Sequence, residues 1–166
     1  VAAVLVSTVR SLDEREEIEP FIRAILTDVG ETPHGPAEIV DILTHKITFR
    51  KNPQLAAFIL KGKSFPTVRP KHVAHQIYRL EKIVGLRCAV LAYTGTILDA
   101  AKEQFCSTAE RLGCLYLILD AVDIARLFIA FGFLCPRDGN KITAGRCGCG
   151  YSPAHRILNV LQEESL

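Results

Sequence analysis

The sequence has no apolar run long enough to cross a bilayer and no glycine-rich phosphate loop. A membrane-spanning helix needs about 20 consecutive apolar residues. The opening segment VAAVLVSTVR is shorter and carries no basic leader, so we interpret it as part of the folded structure. Neither GxGxxG nor GxxxxGK occurs, which removes the main support for a dinucleotide-binding or P-loop protein. We therefore expect a cytoplasmic protein that does not enter a membrane.

Acidic residues are absent from residues 42 to 80, although this stretch contains eight lysines and arginines. The net charge of the chain is only +2, which is too small to indicate a nucleic-acid partner by itself. The local excess of positive charge nevertheless favours a DNA-binding surface, and the alternative is an ordinary solvated basic face. The predicted DNA-binding residues are Lys46, Arg50, Lys51, Arg69, Lys71 and Arg79.

The pattern of apolar residues predicts an α/β fold. A chain of 166 residues with 49% hydrophobic residues can bury a core as one globular domain. Buried-type strands alternate with amphipathic helices, so we predict a central mixed sheet with helices on its faces. The predicted strands lie near residues 38–49, 54–61, 87–93 and 114–119, and the first helix begins at a capping box of Ser11 and Glu14. We expect residues 1–132 to form this domain, and residues 133–166 to add a cysteine-containing hairpin and a C-terminal helix packed on it.

Two polar residues interrupt apolar patterns that are otherwise regular. Gln76 shares a helix face with Val73, Ile77 and Leu80, and a buried amide without partners costs about 1 to 3 kcal/mol. Lys61 follows the apolar run AAFIL at the tip of a predicted central strand, where sites gather in open α/β sheets. We predict that Gln76 faces Lys61 across a site. The alternatives are a Gln76 bonded to nearby backbone and a Lys61 that points into solvent.

Carboxylates on the preceding predicted strand are candidate ligands for Mg²⁺, which prefers oxygen donors. Glu38 and Asp41 are three residues apart, so both could serve one ion only across a bend or bulge. Asp41 is the stronger candidate, and the alternative is that both acids are simply exposed. Lys63 lies two residues beyond Lys61 and would project in the same direction along a strand, which makes it a second candidate catalytic cation.

The order of these residues resembles that of the PD-(D/E)xK nuclease superfamily. The likeness consists of an acid on one strand, a lysine on the next apolar strand, and then a helix with Gln76 and Tyr78. The later segments VLAYTGTILDAAKEQF and GCLYLILDAVDIARLF resemble the second half of restriction-endonuclease-like domains. The resemblance covers roughly residues 11 to 132, and it implies a restriction-endonuclease-like fold.

This resemblance also implies roles for individual residues. Asp41 would hold Mg²⁺, Lys61 would be the catalytic lysine, Gln76 would support it, and Glu16 or Glu17 of the first helix would lie near the site. The implied activity is Mg²⁺-dependent cleavage of DNA, as in a restriction or defence system, with a homodimer as the expected form. One position departs from the family pattern, because the acid expected two residues before the lysine is Ile59.

Three functions therefore remain open at this point. The chain is a metal-dependent endonuclease, a catalytically inactive domain that binds nucleic acid, or an interaction domain that has kept only the fold. An active enzyme should cleave DNA with Mg²⁺ or Mn²⁺, an inactive one should only bind it, and an interaction domain should show no salt-sensitive binding.

The C-terminal part contains three cysteines in the sequence CPRDGNKITAGRCGCGYSPAH. Asp138-Gly139 and Gly145 can form tight turns that bring Cys135 close to Cys147 and Cys149. With His155 these thiolates could complete a tetrahedral Zn²⁺ site of structural type. Free or redox-active thiols and a disulfide are the alternatives, although the absence of a signal peptide favours a reducing compartment.

Overall fold

A four-stranded mixed sheet forms the centre of the computed structural model, which describes residues 3–28, 39–142 and 145–152. The strands are β1 (Ile42–Phe49), β2 (Asn52–Lys61), β3 (Thr67–Val68), β4 (Cys88–Tyr93), β5 (Thr96–Ile97) and β6 (Leu115–Leu119). The central sheet has the order β1-β2-β4-β6, in which β1 is antiparallel to β2 and the other neighbours are parallel. The predicted mixed sheet and its four strands are confirmed.

Helices cover both faces of this sheet. They are α1 (Ala3–Arg10), α2 (Glu19–Leu26), α3 (Pro70–Leu80), α4 (Asp99–Arg111) and α5 (Ala121–Ala130). Side chains of β2 alternate between two cores: Phe58 and Leu60 pack with α1, α2 and α5, whereas Ala57 and Ile59 pack with α3 and α4. Burial on both faces explains why β2 is a continuous apolar run.

The first helical segment begins differently from the prediction. The Ser11 hydroxyl donates back to the Thr8 carbonyl, so Ser11 does not cap the helix. Asp13 is the cap, because its carboxylate accepts the amides of Arg15 and Glu16 and opens a π-helical turn over Glu14–Ile18, which leads into α2. The predicted capping box of Ser11 and Glu14 is therefore wrong, and Glu14 is left to contact another part of the fold.

A second small sheet was not predicted. Strands β3 and β5 pair in parallel over two residues each, which is too short to produce a periodic pattern in the sequence. Residue 95, just before β5, has to be glycine because the backbone of Pro66 passes close to it. A Cβ on this residue would lie 2.4 Å from the Pro66 carbonyl oxygen. The pairing closes the chain around the carboxyl ends of β2 and β4.

The cysteine-containing segment packs on the main domain. Phe133 stacks on Phe21 of α2 with ring centroids 4.7 Å apart, and Leu134 and Cys135 are fully buried. Leu134 bridges to Lys141 in antiparallel fashion, as expected for the predicted hairpin. The predicted C-terminal helix lies outside the described residues. Among the described helices, none is long and apolar enough to span a bilayer.

Candidate functional site at the carboxyl end of strand β2

Three side chains form a hydrogen-bonded chain where β2 ends. The Lys61 ammonium donates to the Gln76 amide oxygen at 2.6 Å, and the Gln76 amide nitrogen donates to Asp41 Oδ2 at 3.0 Å. The amide group of Gln76 is thus oriented by a cation on one side and an anion on the other. The predicted meeting of Lys61 and Gln76 is confirmed, and Gln76 bonds to side chains instead of the nearby backbone.

Hydrogen bonds to the backbone of β2 hold Asp41 in place. The residue lies just before β1, where its amide donates to the Phe58 carbonyl and its Oδ2 accepts the Leu60 amide at 2.6 Å. Only 8% of Asp41 and 6% of Lys61 is exposed. Lysine and aspartate are rarely buried to this extent unless they are paired. The alternative of a solvent-facing Lys61 is therefore wrong.

Glu14 is a second carboxylate at this end of β2, and sequence analysis did not identify it. Its Oε2 accepts the Gly62 amide at 3.0 Å. Leu60 and Gly62 are two residues apart, so their amides point to the same edge of the strand and lie about 7 Å apart. Asp41 and Glu14 therefore bind successive amides on one edge, on either side of Lys61. The signal in the sequence was Gly62, where a Cβ would lie 2.6 Å from the Glu14 amide nitrogen.

Lys63 and Ile59 behave differently from Lys61. Lys63 lies beyond the end of β2, is half-exposed, and has its ammonium 3.6 Å from Asp13, so the predicted common direction with Lys61 does not hold. Ile59 is fully buried among the residues of α3 and α4. An apolar side chain thus occupies the position where the family pattern has its second acid.

Glu17, a further candidate Mg²⁺ ligand, is not brought to Asp41. Glu17 pairs with Lys141 and accepts the Asp13 amide at 2.8 Å, and Glu16 is exposed. Within the described ranges, Glu17 makes no hydrogen bond with Asp41, Lys61 or Gln76. Glu38 lies outside the described residues.

The predicted DNA-binding residues do not form one surface around Lys61. Arg50 and Lys51 make the turn between β1 and β2 with left-handed backbone, φ 49° and 68°. This turn is at the opposite end of β2, about 30 Å from Lys61 for a ten-residue strand. Along the chain Lys46 is exposed on β1, Arg69 and Lys71 are exposed at the start of α3, and Arg79 is half-buried in its last turn.

A separate cluster of metal-ligating side chains lies in the C-terminal hairpin. One donor atom each from Cys135, Asp138, Cys147 and Cys149 lies within 4.8 Å of the others, so this cluster could hold a metal ion. The sulfurs of Cys135 and Cys149 are 3.4 Å apart, and the Cys147 sulfur is 3.2 Å from Asp138 Oδ2. A disulfide needs sulfurs about 2.05 Å apart, and all six cysteines are free thiols. The predicted meeting of the three cysteines is confirmed.

Backbone turns hold these donors in place. Gly139 and Gly150 have φ of 73° and 83°, and their amides donate to the carbonyls of Cys135 and Cys147. The amide of Tyr151 bonds to the Cys149 sulfur and lowers the pKa of that thiol. The Asn140 amide, followed by the Cys147 thiol, lowers the pKa of Asp138 to about 2, so this residue is a carboxylate near neutral pH.

His155, the predicted fourth donor, lies outside the described residues. Among the described residues, Asp138 is the fourth donor of the cluster. The sequence pattern predicted only a turn at Asp138. Its position three residues after Cys135 was the available signal, because that spacing returns a side chain to the same side of a tight turn.

No protein-family model matches the chain, and neither the curated proteins nor the solved structures include a significant match to it.

Proposed function

We propose that this chain is a metal-dependent phosphodiesterase that cleaves DNA, with Lys61, Gln76, Asp41 and Glu14 as its site. The observation that carries the proposal is the chain of hydrogen bonds from the Lys61 ammonium through Gln76 to Asp41. This set of residue types, in this order on strand and helix, is what the resemblance to the PD-(D/E)xK superfamily implies. A restriction-endonuclease-like fold and a homodimer remain parts of the same proposal.

Glu14 supplies the acid that Ile59 does not. Asp41 and Glu14 flank the end of β2 and each has one oxygen on a backbone amide. Mg²⁺ in phosphate-processing sites is held by one or two protein carboxylates together with substrate phosphates and water. Two carboxylates at this edge fit that donor set, and a bound Mg²⁺ would supply Lewis-acid stabilisation of the phosphate oxygens.

Lys61 contributes a fixed positive charge. In hydrolysis, the oxygen of water forms a bond to phosphorus while the bond to the leaving sugar oxygen breaks, and a proton from the water balances the charge of the leaving group. Negative charge builds up on the phosphate oxygens in the transition state. A cation that is already oriented by Gln76 stabilises this charge without rearrangement, an effect typically worth about 10²- to 10³-fold in rate.

A catalytically inactive DNA-binding domain is the second candidate, and two observations favour it. Ile59 is fully buried at the position of the expected acid, and among the described residues only the cysteine cluster groups three or more ligating side chains. In that case the Lys61 network would serve stability, and the domain would bind nucleic acid without cutting it.

Cleavage and binding measured on the same sample distinguish these candidates. Plasmid and single-stranded DNA are incubated with Mg²⁺ or Mn²⁺, and mobility shift is measured without divalent ions. Asp41→Asn and Glu14→Gln should lose cleavage and keep binding, whereas Glu16→Gln, an exposed acid of the same π-helical turn, should behave as the wild type. Salt-sensitive binding without cleavage would favour the inactive domain. A protein that neither cleaves nor binds DNA would contradict both candidates.

We also propose that the cysteine cluster binds one structural Zn²⁺. Tetrahedral Zn²⁺ with bonds to sulfur of about 2.3 Å places its sulfurs about 3.8 Å apart. The Cys135 and Cys149 sulfurs, 3.4 Å apart, are close to this value. The Cys147 sulfur lies 3.2 and 3.4 Å from the Asp138 oxygens, close to the separation of about 3.6 Å expected for a sulfur and an oxygen on one Zn²⁺. Backbone amides directed at the sulfurs give the support that metal-bound thiolates require. The free-thiol alternative leaves three thiols and a carboxylate packed together without a bridging cation.

Metal content of purified protein tests the zinc proposal. We expect about one Zn²⁺ per chain, loss of zinc in Cys147→Ser, and unchanged zinc in Cys106→Ser, a matched change at a cysteine in α4. Tetrahedral Co²⁺ bands should appear when cobalt replaces zinc, and Asp138→Cys should retain the metal. Protein prepared without chelator that contains far less than one equivalent would contradict the proposal.

A further inference from the structure

A cleft lies along the carboxyl edge of the central sheet, next to the end of β2. It consists of two neighbouring lobes of about 290 and 200 Å³ that share Arg10, Gly95 and Thr96. The parallel strands β2, β4 and β6 all end at this edge. In open α/β sheets this is the edge at which ligands bind.

Cations from three separate elements converge on the cleft. Arg10 comes from the last turn of α1, Lys63 from the chain that follows β2, and Lys102 from the first turn of α4. Among the residues that the structure describes, Arg10 makes no ion pair, the Lys102 pair with Asp99 is long at 4.0 Å, and the half-exposed Lys63 lies 3.6 Å from Asp13. Ion pairs at exposed side chains are worth little, so these pairs leave the cations able to contact a phosphate.

The acid and the phenol in the lining do not oppose an anion strongly. Asp120 directs its Oδ1 at the amides of Val122 and Asp123 and caps α5. Burial, together with the charges of Asp120 and Asp123, raises the pKa of Tyr93, so its hydroxyl remains a hydrogen-bond donor at neutral pH.

We propose that this cleft binds the phosphate backbone of a DNA strand through Arg10, Lys63 and Lys102, beside the carboxyl end of β2. The inference rests on the proposed function, since it names the surface by which the substrate of the same site is held. The DNA-binding surface would then lie at the carboxyl edge of the sheet and would exclude the turn formed by Arg50 and Lys51, at the far end of β2.

The test compares two double variants that remove the same charge. Arg10→Gln/Lys102→Gln changes the cleft, and Arg50→Asn/Lys51→Asn changes the distant turn, where asparagine tolerates the positive φ. Fluorescence anisotropy with labelled single-stranded and duplex DNA, without divalent ions, gives the Kd as a function of salt. Thermal unfolding of both variants checks that the fold is kept.

The cleft variant should bind at least tenfold more weakly, because two charge-assisted contacts to phosphate are lost. Its slope of log K against log salt should fall by about 1.4 for single strands or 1.8 for duplex. Equal losses in both variants, no loss in the cleft variant, or a wild type that does not bind DNA would each overturn the proposal. Cleavage by the same samples is scored separately, so a cleft that binds DNA without any cleavage would contradict only the nuclease.

Discussion

Replacement of Glu14 by glutamine distinguishes a catalytic role of this carboxylate from a purely structural one. The glutamine carbonyl can still accept the Gly62 amide, now 3.0 Å from Glu14 Oε2. A hydrogen bond to a charged group contributes about 1.5 to 3 kcal/mol and a neutral one about 0.5 to 1.5. The expected loss of stability is therefore about 1 kcal/mol, which lowers Tm by about 2 to 4 °C for a domain of this size.

Cleavage should fall much further, by about 100-fold or more, because the site would lose one of its two carboxylates. Single-turnover cleavage with Mg²⁺ titrated upward measures this, and the variant should need more metal to reach its maximum rate. Glu16→Gln is the matched control, since it removes one negative charge from the same π-helical turn on an exposed side chain. Wild-type cleavage by Glu14→Gln, or equal losses in both variants, would refute a role of Glu14 in the chemistry.

Two further predictions concern the fold around the site. Phe128 is fully buried and contacts the rings of Phe21 and Phe133. Phe128→Ala should therefore lower the free energy of unfolding, measured in urea, by about 3 to 5 kcal/mol. Phe131→Ala is the control and should change it little, because the Phe131 ring is exposed. The amides of Glu16 and Arg15, followed by Lys63, lower the pKa of Asp13 below its ordinary value of 3.8, so the stability that this cap contributes is present above about pH 4 and lost as the pH falls further. The Tm difference between wild type and Asp13→Asn should therefore shrink towards low pH, and a difference that stays constant would contradict the assignment of Asp13 as the charged cap.

The meeting of Lys61 and Gln76 was predictable because two periodicities determine it. Residues 59 and 61 share a face of β2 by the period of two, and Gln76 lies on the face of α3 that carries Val73 and Ile77. Once the helix packs on the strand, the two polar groups have to lie on the same side of the sheet. The hydrogen bond of 2.6 Å follows from this arrangement.

Glu14 and the cleft could not be predicted in the same way. The contact between Glu14 and Gly62 joins residues 48 positions apart, and it depends on the π-helical turn that Asp13 opens. A hairpin separates the members of the charge run from Lys46 to Arg79 in space, because its tip carries Arg50 and Lys51 away from Lys61. Sequence proximity of cations does not indicate a common surface when a strand of ten residues lies between them.

The proposed catalytic role of Lys61 is tested most directly by Lys61→Met. Since Lys61 is buried, an alanine would leave a void beside Gln76, whereas methionine keeps most of the volume and removes only the charge. We predict that Lys61→Met cleaves DNA with Mg²⁺ at least 100-fold more slowly than the wild type in single-turnover assays while its Kd for the same DNA without metal changes little. A wild type that binds DNA without cleaving it, or a Lys61→Met that cleaves as fast as the wild type, would contradict the proposal that this site cleaves phosphodiesters.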